Sequence, residues 1–426
     1  MIKTIGIIPV LDRRDGGIFQ YSQAFLTALA PLVSDKLVEK VVVFCHPEFR
    51  GNLPLGPWHI AALAPPSPWQ HCKRWLKSVL PATIKDLTAQ SPHISAVEQH
   101  THIKLNLRRW FLKHNVDFMI YPSPMAASFE AGIPFMMTIH DLQHRFQPHL
   151  PEFQNRVFEE REFVFKNGAL QATRLLVDSQ IGAEDALTCY QNDGLDPQQI
   201  DILPFIPAPY LKTASLETMK SVQHKYQLPL RYLFYPAQFW PHKQHHLLID
   251  ALTILKTQYG IKATLVVCGS HSGKTREEYY HQVIDKARKA GIIDQILNLG
   301  YVPDEDMAAL YQSAIALVMP TLFGPTNIPV LEAWKLNCLV VTSDLRGIRE
   351  QVGDAGILVN PYDAYAWASV VAKIWENSDQ YLAIKQAGQK RLEQYTEDDF
   401  RTKVRVILEE IIAEERGIYA EDSASA

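Results

Sequence analysis

Two Rossmann-like α/β domains with parallel sheets, facing a central cleft, are what this sequence predicts. Short apolar runs alternate with helical patterns along almost the whole chain. The runs are apolar on both faces, as strands covered by helices on each side must be. Prolines at Pro204, Pro207 and Pro209 interrupt the alternation once, after which it starts again. A chain of 426 residues also exceeds what one core usually holds.

The elements follow in order. Thr4–Pro9 reads as a buried strand, and Ile18–Ala30 as a helix with Phe19, Ala24, Phe25, Ala28 and Leu29 on one side. Further strands are read at Lys40–Cys45, Asp117–Tyr121, Ile133–Ile139 and Arg174–Asp178. Beyond the proline-rich hinge they recur at Tyr232–Tyr235, Ala263–Cys268, Ile296–Leu299, Ile315–Val318 and Leu339–Thr342. Lys243–Gln258 reads as a helix, because Leu247, Leu248, Ala251, Leu252 and Leu255 keep the 3.6-residue period. A last helix over Glu397–Glu415 carries Phe400, Val404, Ile407, Leu408, Ile411 and Ile412 at core spacing, with a frayed tail after it. The expected division is 1–205 for a first domain, 206–395 for a second and 396–426 for a terminal helix packing back toward the first.

Composition narrows the function. Apolar residues make up 47% and charged residues 21%, which suits a folded globular chain. The formal net charge of -4 gives no global drive toward nucleic acid. No apolar run reaches the ~18–20 residues of a membrane span, and the N-terminus does not read as a signal peptide. The five cysteines are far apart and never in CxxC pairs, so buried free thiols in the cytoplasm are expected, not disulfides or a cysteine-rich zinc site.

Ligands of open α/β sheets sit beyond the carboxyl ends of the strands, and four such loops carry polar chemistry. Gly16-Gly17 precedes the first helix, where bare backbone lets N–H groups approach a phosphate or sugar. A plain tight turn is the alternative, and the absence of GxGxxG argues against a nicotinamide cofactor. His140-Asp141-Leu142-Gln143-His144 resembles a zinc-hydrolase HExxH, but it begins at a strand end, and Pro148 and Pro151 spoil the long helix that zinc would need. A His-Asp pair there suits hydrogen bonding to a substrate, or only caps a loop. Gly269–Thr275 stands where a P-loop would, one residue short between its glycines. Asp304-Glu305-Asp306 opens a helix after Pro303, so capping explains it better than metal binding.

Three further stretches are decisive: Tyr235-Pro-Ala-Gln238-Phe-Trp-Pro-His-Lys243, then Thr321-Leu-Phe-Gly324-Pro-Thr-Asn-Ile-Pro-Val-Leu-Glu332, then Ser343–Ala355. Together with Gly16-Gly17 and the His140 loop, they resemble glycosyltransferase family 4, the retaining GT-B enzymes of glycosyl transferases group 1. The resemblance covers nearly the whole second domain in order and the first more loosely. It implies a GT-B fold, a nucleotide-sugar donor (GDP- or UDP-linked) held by the second domain, and a glycan or lipid-linked acceptor received by the first. It also implies transfer of a hexose, mannose among the candidates, with retention of configuration and with neither metal nor cofactor.

Position by position, it makes Lys243 the cation that stabilises the departing diphosphate and His140 the histidine that touches the transferred sugar. Gly16 and Gly17 fall near the diphosphate, and Glu332 anchors the ribose. Thr326, Asn327 and Ile328 form a loop whose amides face phosphate and sugar, and Val302 lies by the nucleobase. Two positions depart from the family pattern: Gln238 stands where arginine is common, and Gly324 where a second glutamate would contact the sugar. Arg13, Arg14 or helix N-termini are then expected to supply the missing charge. The same departures motivate an alternative, a sugar-nucleotide-binding protein of this fold without transfer activity. On the acceptor side, 68–115 interleaves cations with Trp69, Trp75, Trp110 and Phe111. That composition fits peripheral contact with an anionic membrane, an anionic polysaccharide, or simply a solvated helical face.

Overall fold

A computed structural model describes residues 2–63 and 104–424. Most of the 68–115 segment therefore lies outside the described residues. Thirteen strands form two wholly parallel sheets. The first contains β1 (Thr4–Ile7), β2 (Lys40–Cys45), β3 (Trp58–Ala62), β4 (Phe118–Tyr121), β5 (Phe135–Thr138), β6 (Arg174–Val177) and β7 (Ile200–Ile202), in the order β3-β2-β1-β4-β5-β6-β7. The second contains β8 (Leu233–Pro236), β9 (Leu265–Cys268), β10 (Ile296–Asn298), β11 (Ala316–Met319), β12 (Leu339–Ser343) and β13 (Ile357–Val359), in the order β10-β9-β8-β11-β12-β13. Each sheet reverses its winding beside its first strand: Ile5 pairs with both Val41 and Phe118, and Leu233 with both Leu265 and Ala316. Such switch points open a crevice at the strands' carboxyl ends.

Central strands are buried on both faces, β1, β4, β5, β9 and β11 completely. Three strands lack such a run, and their sequences gave no strand signal: β3, β7 and β13. All are sheet edges with half-exposed residues. The helices that matter below are α1 (Gly17–Ser34), α2 (Gln180–Tyr190), α3 (His245–Gln258), α4 (Lys274–Lys289), α5 (Asp304–Ser313), α6 (Ile328–Lys335), α7 (Arg346–Val352) and α8 (Glu397–Ala424).

Two boundaries differ from the sequence reading for local reasons. α1 runs one turn past Ala30 with Pro31 inside it, because the proline falls in the last turn. The helix read from Lys243 begins at His245: Pro241–Lys243 is a 3-10 turn, and Gln244 adopts a left-handed conformation with φ 54° that breaks the two apart. Lys243 thus sits on a loop that aims it into the crevice.

The chain passes between domains twice, through the irregular stretch after β7 and again just before α8. α8 packs on α1 and runs to Ala424; its Phe400, Val404, Ile407, Leu408, Ile411 and Ile412 join Ile5, Tyr21 and Phe25 in one core of the first domain. A separate core fills the second domain. Among the described residues, Cys45, Cys189, Cys268 and Cys338 are buried free thiols, and no helix is long and apolar enough to cross a membrane.

Candidate active site

The loops after β1, β5, β8, β9, β10 and β11 meet between the domains around a two-lobed cavity. Gly16, Gly17, Gln238 and Ile328 line both lobes. The larger lobe, about 540 Å³, is lined by His140, Lys243, Thr326 and Asn327, and by Asp141, Glu152 and Arg161. The smaller, about 180 Å³, is lined by Val302 and Glu332, with Tyr210 and Asp304. All ten residues singled out by sequence therefore come together at one place.

At the seam of the lobes stands the N-terminus of α1. Gly16 caps it with φ 59°, a conformation that favours glycine. Gly17 is the first helical residue, and a Cβ there would lie 3.2 Å from Ile328 Cδ1. Bare backbone at this point leaves the positive end of an 18-residue helix open to the cavity.

The Lys243 ammonium lines the larger lobe with no hydrogen bond or ion pair among the described residues. Burial pulls it down to about 8, opposed by the negative fields of Asp141 and Glu152. Both carboxylates are themselves engaged. Burial would raise Asp141, but the Arg161 guanidinium at 2.5 Å and the Gln143 N–H at 3.0 Å hold it below its usual range. Burial would likewise raise Glu152, but His242 holds it down, with Nδ1 at 2.5 Å and the backbone N–H at 3.2 Å from Oε1.

Burial pushes His140 down to about 4, so the ring is neutral. Its Nε2 lies 2.8 Å from the Pro122 carbonyl, which can only accept, so Nε2 carries the hydrogen and Nδ1 keeps a lone pair. That Nδ1 is buried without a partner. The second histidine of the HDLQH motif turns elsewhere: His144 is buried 2.9 Å from Glu162. Among the described residues, no three His, Cys, Asp or Glu side chains are placed to hold a metal.

Past β11 the chain turns at Gly324, with φ 111°. The Thr326 hydroxyl donates across the domain boundary to Asp178, a carboxyl that burial pushes up to about 7. Asn327 precedes α6, and its amide is occupied, donating to Gln351 Oε1 at 2.9 Å. In the smaller lobe Glu332 accepts the Tyr311 hydroxyl at 2.7 Å, and burial pushes its carboxyl up to about 7. Val302 is buried beside it.

Arg13 and Arg14 both line the smaller lobe, and each is paired with a carboxylate. Arg13 reaches Asp304 at 3.0 Å, and Arg14 is exposed on Asp12. Behind Gln238 stands a further cation, Arg276 of α4, 2.8 Å from Gln238 Oε1 and 4.8 Å over the Trp240 ring. Gln238 Nε2 also donates to the Arg14 carbonyl at 2.7 Å, bridging the domains. The neighbouring Lys274 of the P-loop-like stretch points away, on the surface 4.0 Å from Glu278. Asp304 and Asp306 lie in the first turn of α5, but neither makes a side-chain cap hydrogen bond there: Asp304 pairs with Arg13, and Asp306 accepts from Lys225 at 2.6 Å and from Tyr226 at 2.7 Å. From the acceptor-side segment, Phe111 is buried and Lys113 lies over Trp110, so those two aromatics belong to local packing.

Sequence reasoning missed Glu152, Arg161, Tyr210, Asp178 and Arg276. Each reaches the site, or its lining, from an element without a motif, and only the fold brings them there.

Comparison with known proteins agrees with this geometry. Residues 220–391 match the family model described as Glycosyl transferases group 1. The chain is 24% identical over 356 residues to D-inositol 3-phosphate glycosyltransferase of Salinispora tropica, covering 80% of this chain and 70% of that one. It is 30% identical over 158 residues to O-antigen chain mannosyltransferase B of Escherichia coli, covering 37% and 40%. Among solved structures, Anabaena HepE in complex with UDP and glucose superposes with a TM-score of 0.70 at 15% identity, over 96% of this chain and 100% of that chain. Sucrose-phosphate synthase from Thermosynechococcus elongatus also reaches 0.70 at 15% identity, over 96% and 99%. The two-domain GT-B fold extends over the whole molecule, and the second domain matches the glycosyl transferases group 1 family over residues 220–391.

Proposed function

We propose that this chain is a retaining hexosyltransferase that moves a sugar, mannose first among the candidates, from a GDP- or UDP-linked donor to a glycan or lipid-linked acceptor without a metal or cofactor. The observation that carries the reading is the unpaired Lys243 ammonium, held in the cavity opposite the open N-terminus of α1. Two positive elements facing one enclosed space fit a diphosphate. The names of the relatives, mannosyltransferase and inositol phosphate glycosyltransferase among them, and a structural neighbour that holds UDP and glucose support the choice of donor and sugar.

The base and ribose then occupy the smaller lobe, with Val302 against the base and Glu332 accepting ribose hydroxyls. The diphosphate spans Gly16-Gly17, Lys243 and the amides flanking Asn327, with Gln238 beside it and Arg276 adding charge from behind. The sugar lies toward His140, whose Nδ1 lone pair takes a hydroxyl hydrogen. As the C1–O bond to the distal phosphate breaks, its electron pair goes to the phosphate oxygen, where Lys243 meets the growing charge. The acceptor oxygen attacks from that same face and gives its proton to the departing phosphate, so configuration is retained and no protein base is required.

A second reading, a nucleotide-sugar binder without transfer, rests on Gln238 and Gly324. One experiment separates the two. A panel of UDP, GDP and their sugar conjugates is screened by thermal shift in EDTA, and the stabilising donor is then incubated with candidate acceptors while diphosphate release is followed. Stabilisation with release supports transfer; stabilisation alone supports the binder. The composition of 68–115 supports peripheral contact with an anionic membrane on the acceptor side, and flotation with and without anionic lipid tests it.

A further inference from the structure

Glu152 enters the larger lobe from the first domain, on a short turn after Pro151. Its side chain is 6% exposed. One oxygen, Oε1, is doubly engaged by His242; the other, Oε2, is buried and has no hydrogen-bond partner. A buried carboxylate oxygen left without a donor is costly, so its partner is supplied in the working complex. Asp141, the neighbouring carboxylate, is already committed to Arg161 and Gln143. Across the lobe, Gly324 offers no side chain at all.

The chemistry of that partner is constrained. An ionised carboxylate repels phosphate, so what meets Oε2 is a neutral group that donates a hydrogen bond. Oε1 holds His242, the residue before Lys243, so Glu152 is tied to the loop that carries the diphosphate-binding lysine. The neutral, hydroxyl-bearing group nearest a bound diphosphate is the sugar esterified to it. We propose that Glu152 is a specificity-determining residue, whose Oε2 accepts a hydroxyl hydrogen of the transferred sugar. This rests on the nucleotide-sugar reading above.

Calorimetric titration of wild type, Glu152→Gln and His242→Phe with UDP, GDP and ADP, and with UDP-glucose, GDP-mannose and ADP-glucose, tests it. Glutamine can still accept from His242 but presents an NH₂ where Oε2 was; phenylalanine keeps the ring stacked on Phe323 but removes the Nδ1 bond. For the pair that wild type binds best, Glu152→Gln is expected to hold the free diphosphate within about two-fold and to lose about ten-fold or more on the sugar conjugate. His242→Phe is expected to leave the ratio of the two affinities unchanged. An unchanged ratio in Glu152→Gln, or an equal drop in both variants, overturns the proposal and leaves Glu152 a loop anchor. If wild type binds none of the six, the donor reading itself fails and this proposal falls with it. That failure is recognisable because it appears before any substitution is made.

Discussion

The Glu350 carboxylate of the second domain accepts the backbone N–H of Gln180 in the first, at 3.0 Å, and that of Ile181 with its other oxygen, also at 3.0 Å. Those are the first amides of α2, whose own N-cap Ser179 accepts the Gly182 N–H at 3.0 Å, so Glu350 adds a second cap from across the domain boundary. Arg346 of α7 adds ion pairs to Glu184 at 2.8 Å and Asp185 at 3.0 Å. The closed arrangement is thus held at its rim by polar contacts that can break and reform. Glu350→Ala is expected to cost about 1 kcal/mol of cap energy and to enlarge the radius of gyration without ligand. Small-angle scattering alongside thermal unfolding checks both, and an unchanged radius would show that Arg346 and the Thr326–Asp178 bond suffice.

Lys243→Ala should leave the fold intact and lower kcat/KM by about a hundred-fold or more, because the charge that meets the leaving phosphate is gone. Steady-state kinetics on a variant with wild-type melting behaviour provides the check.

The pH profile follows from the same lysine. Its ammonium titrates near 8, so it is charged below that value and loses its proton as pH rises through it. kcat/KM for the donor should therefore fall by about ten-fold per pH unit above 8. His140, titrating near 4, adds no limb between pH 6 and 8. A profile with no fall above pH 8 would contradict this assignment, whereas a limb near 7 belongs to Glu332.

Glu332 gives a stability prediction with a defined sign. Its folded value, about 7, lies above the unfolded 4.5, so the native state holds its proton more tightly. Its contribution is fully favourable below 4.5, is lost progressively as pH rises toward 7, and is gone above that. Glu332→Gln should therefore melt higher than wild type at pH 8, with the difference shrinking as pH falls to 4.5. The same variant should bind nucleoside diphosphate about ten-fold more weakly, having lost a charged acceptor for the ribose.

Arg276→Gln tests whether charge behind Gln238 reaches the diphosphate. A loss of about three- to ten-fold in donor affinity that shrinks at high salt is expected, since the guanidinium acts through space rather than by contact. A salt-independent loss would point to packing on Trp240 instead.

Much of this molecule is legible in the sequence because its central strands are buried on both faces and leave continuous apolar runs. β3 and β7 escaped because they are edge strands interrupted by polar residues, and β13 because its Ile-Leu-Val run is only three residues long. The loops with Lys243, Glu332 and His140 were legible because their spacing carries a family pattern. Glu152 and Arg276 were not. Each matters only through what it touches, His242 for one and Gln238 and Trp240 for the other, at separations of 90 and 38 residues that no local pattern records. The start of α3 was misread because a leucine period says nothing about a left-handed residue at its head.

The second passage of the chain between domains has its own consequence. Two strands of backbone joining two bodies define an axis, so relative motion reduces to rotation about that line, and opening and closing retrace one path. It also makes α8, 28 residues that follow the whole second domain in sequence, part of the first domain's fabric. A fragment ending before α8 would expose Tyr21 and Phe25 of α1, the helix whose tip faces the cavity, and the core of the first domain is completed only after the second domain has been synthesised.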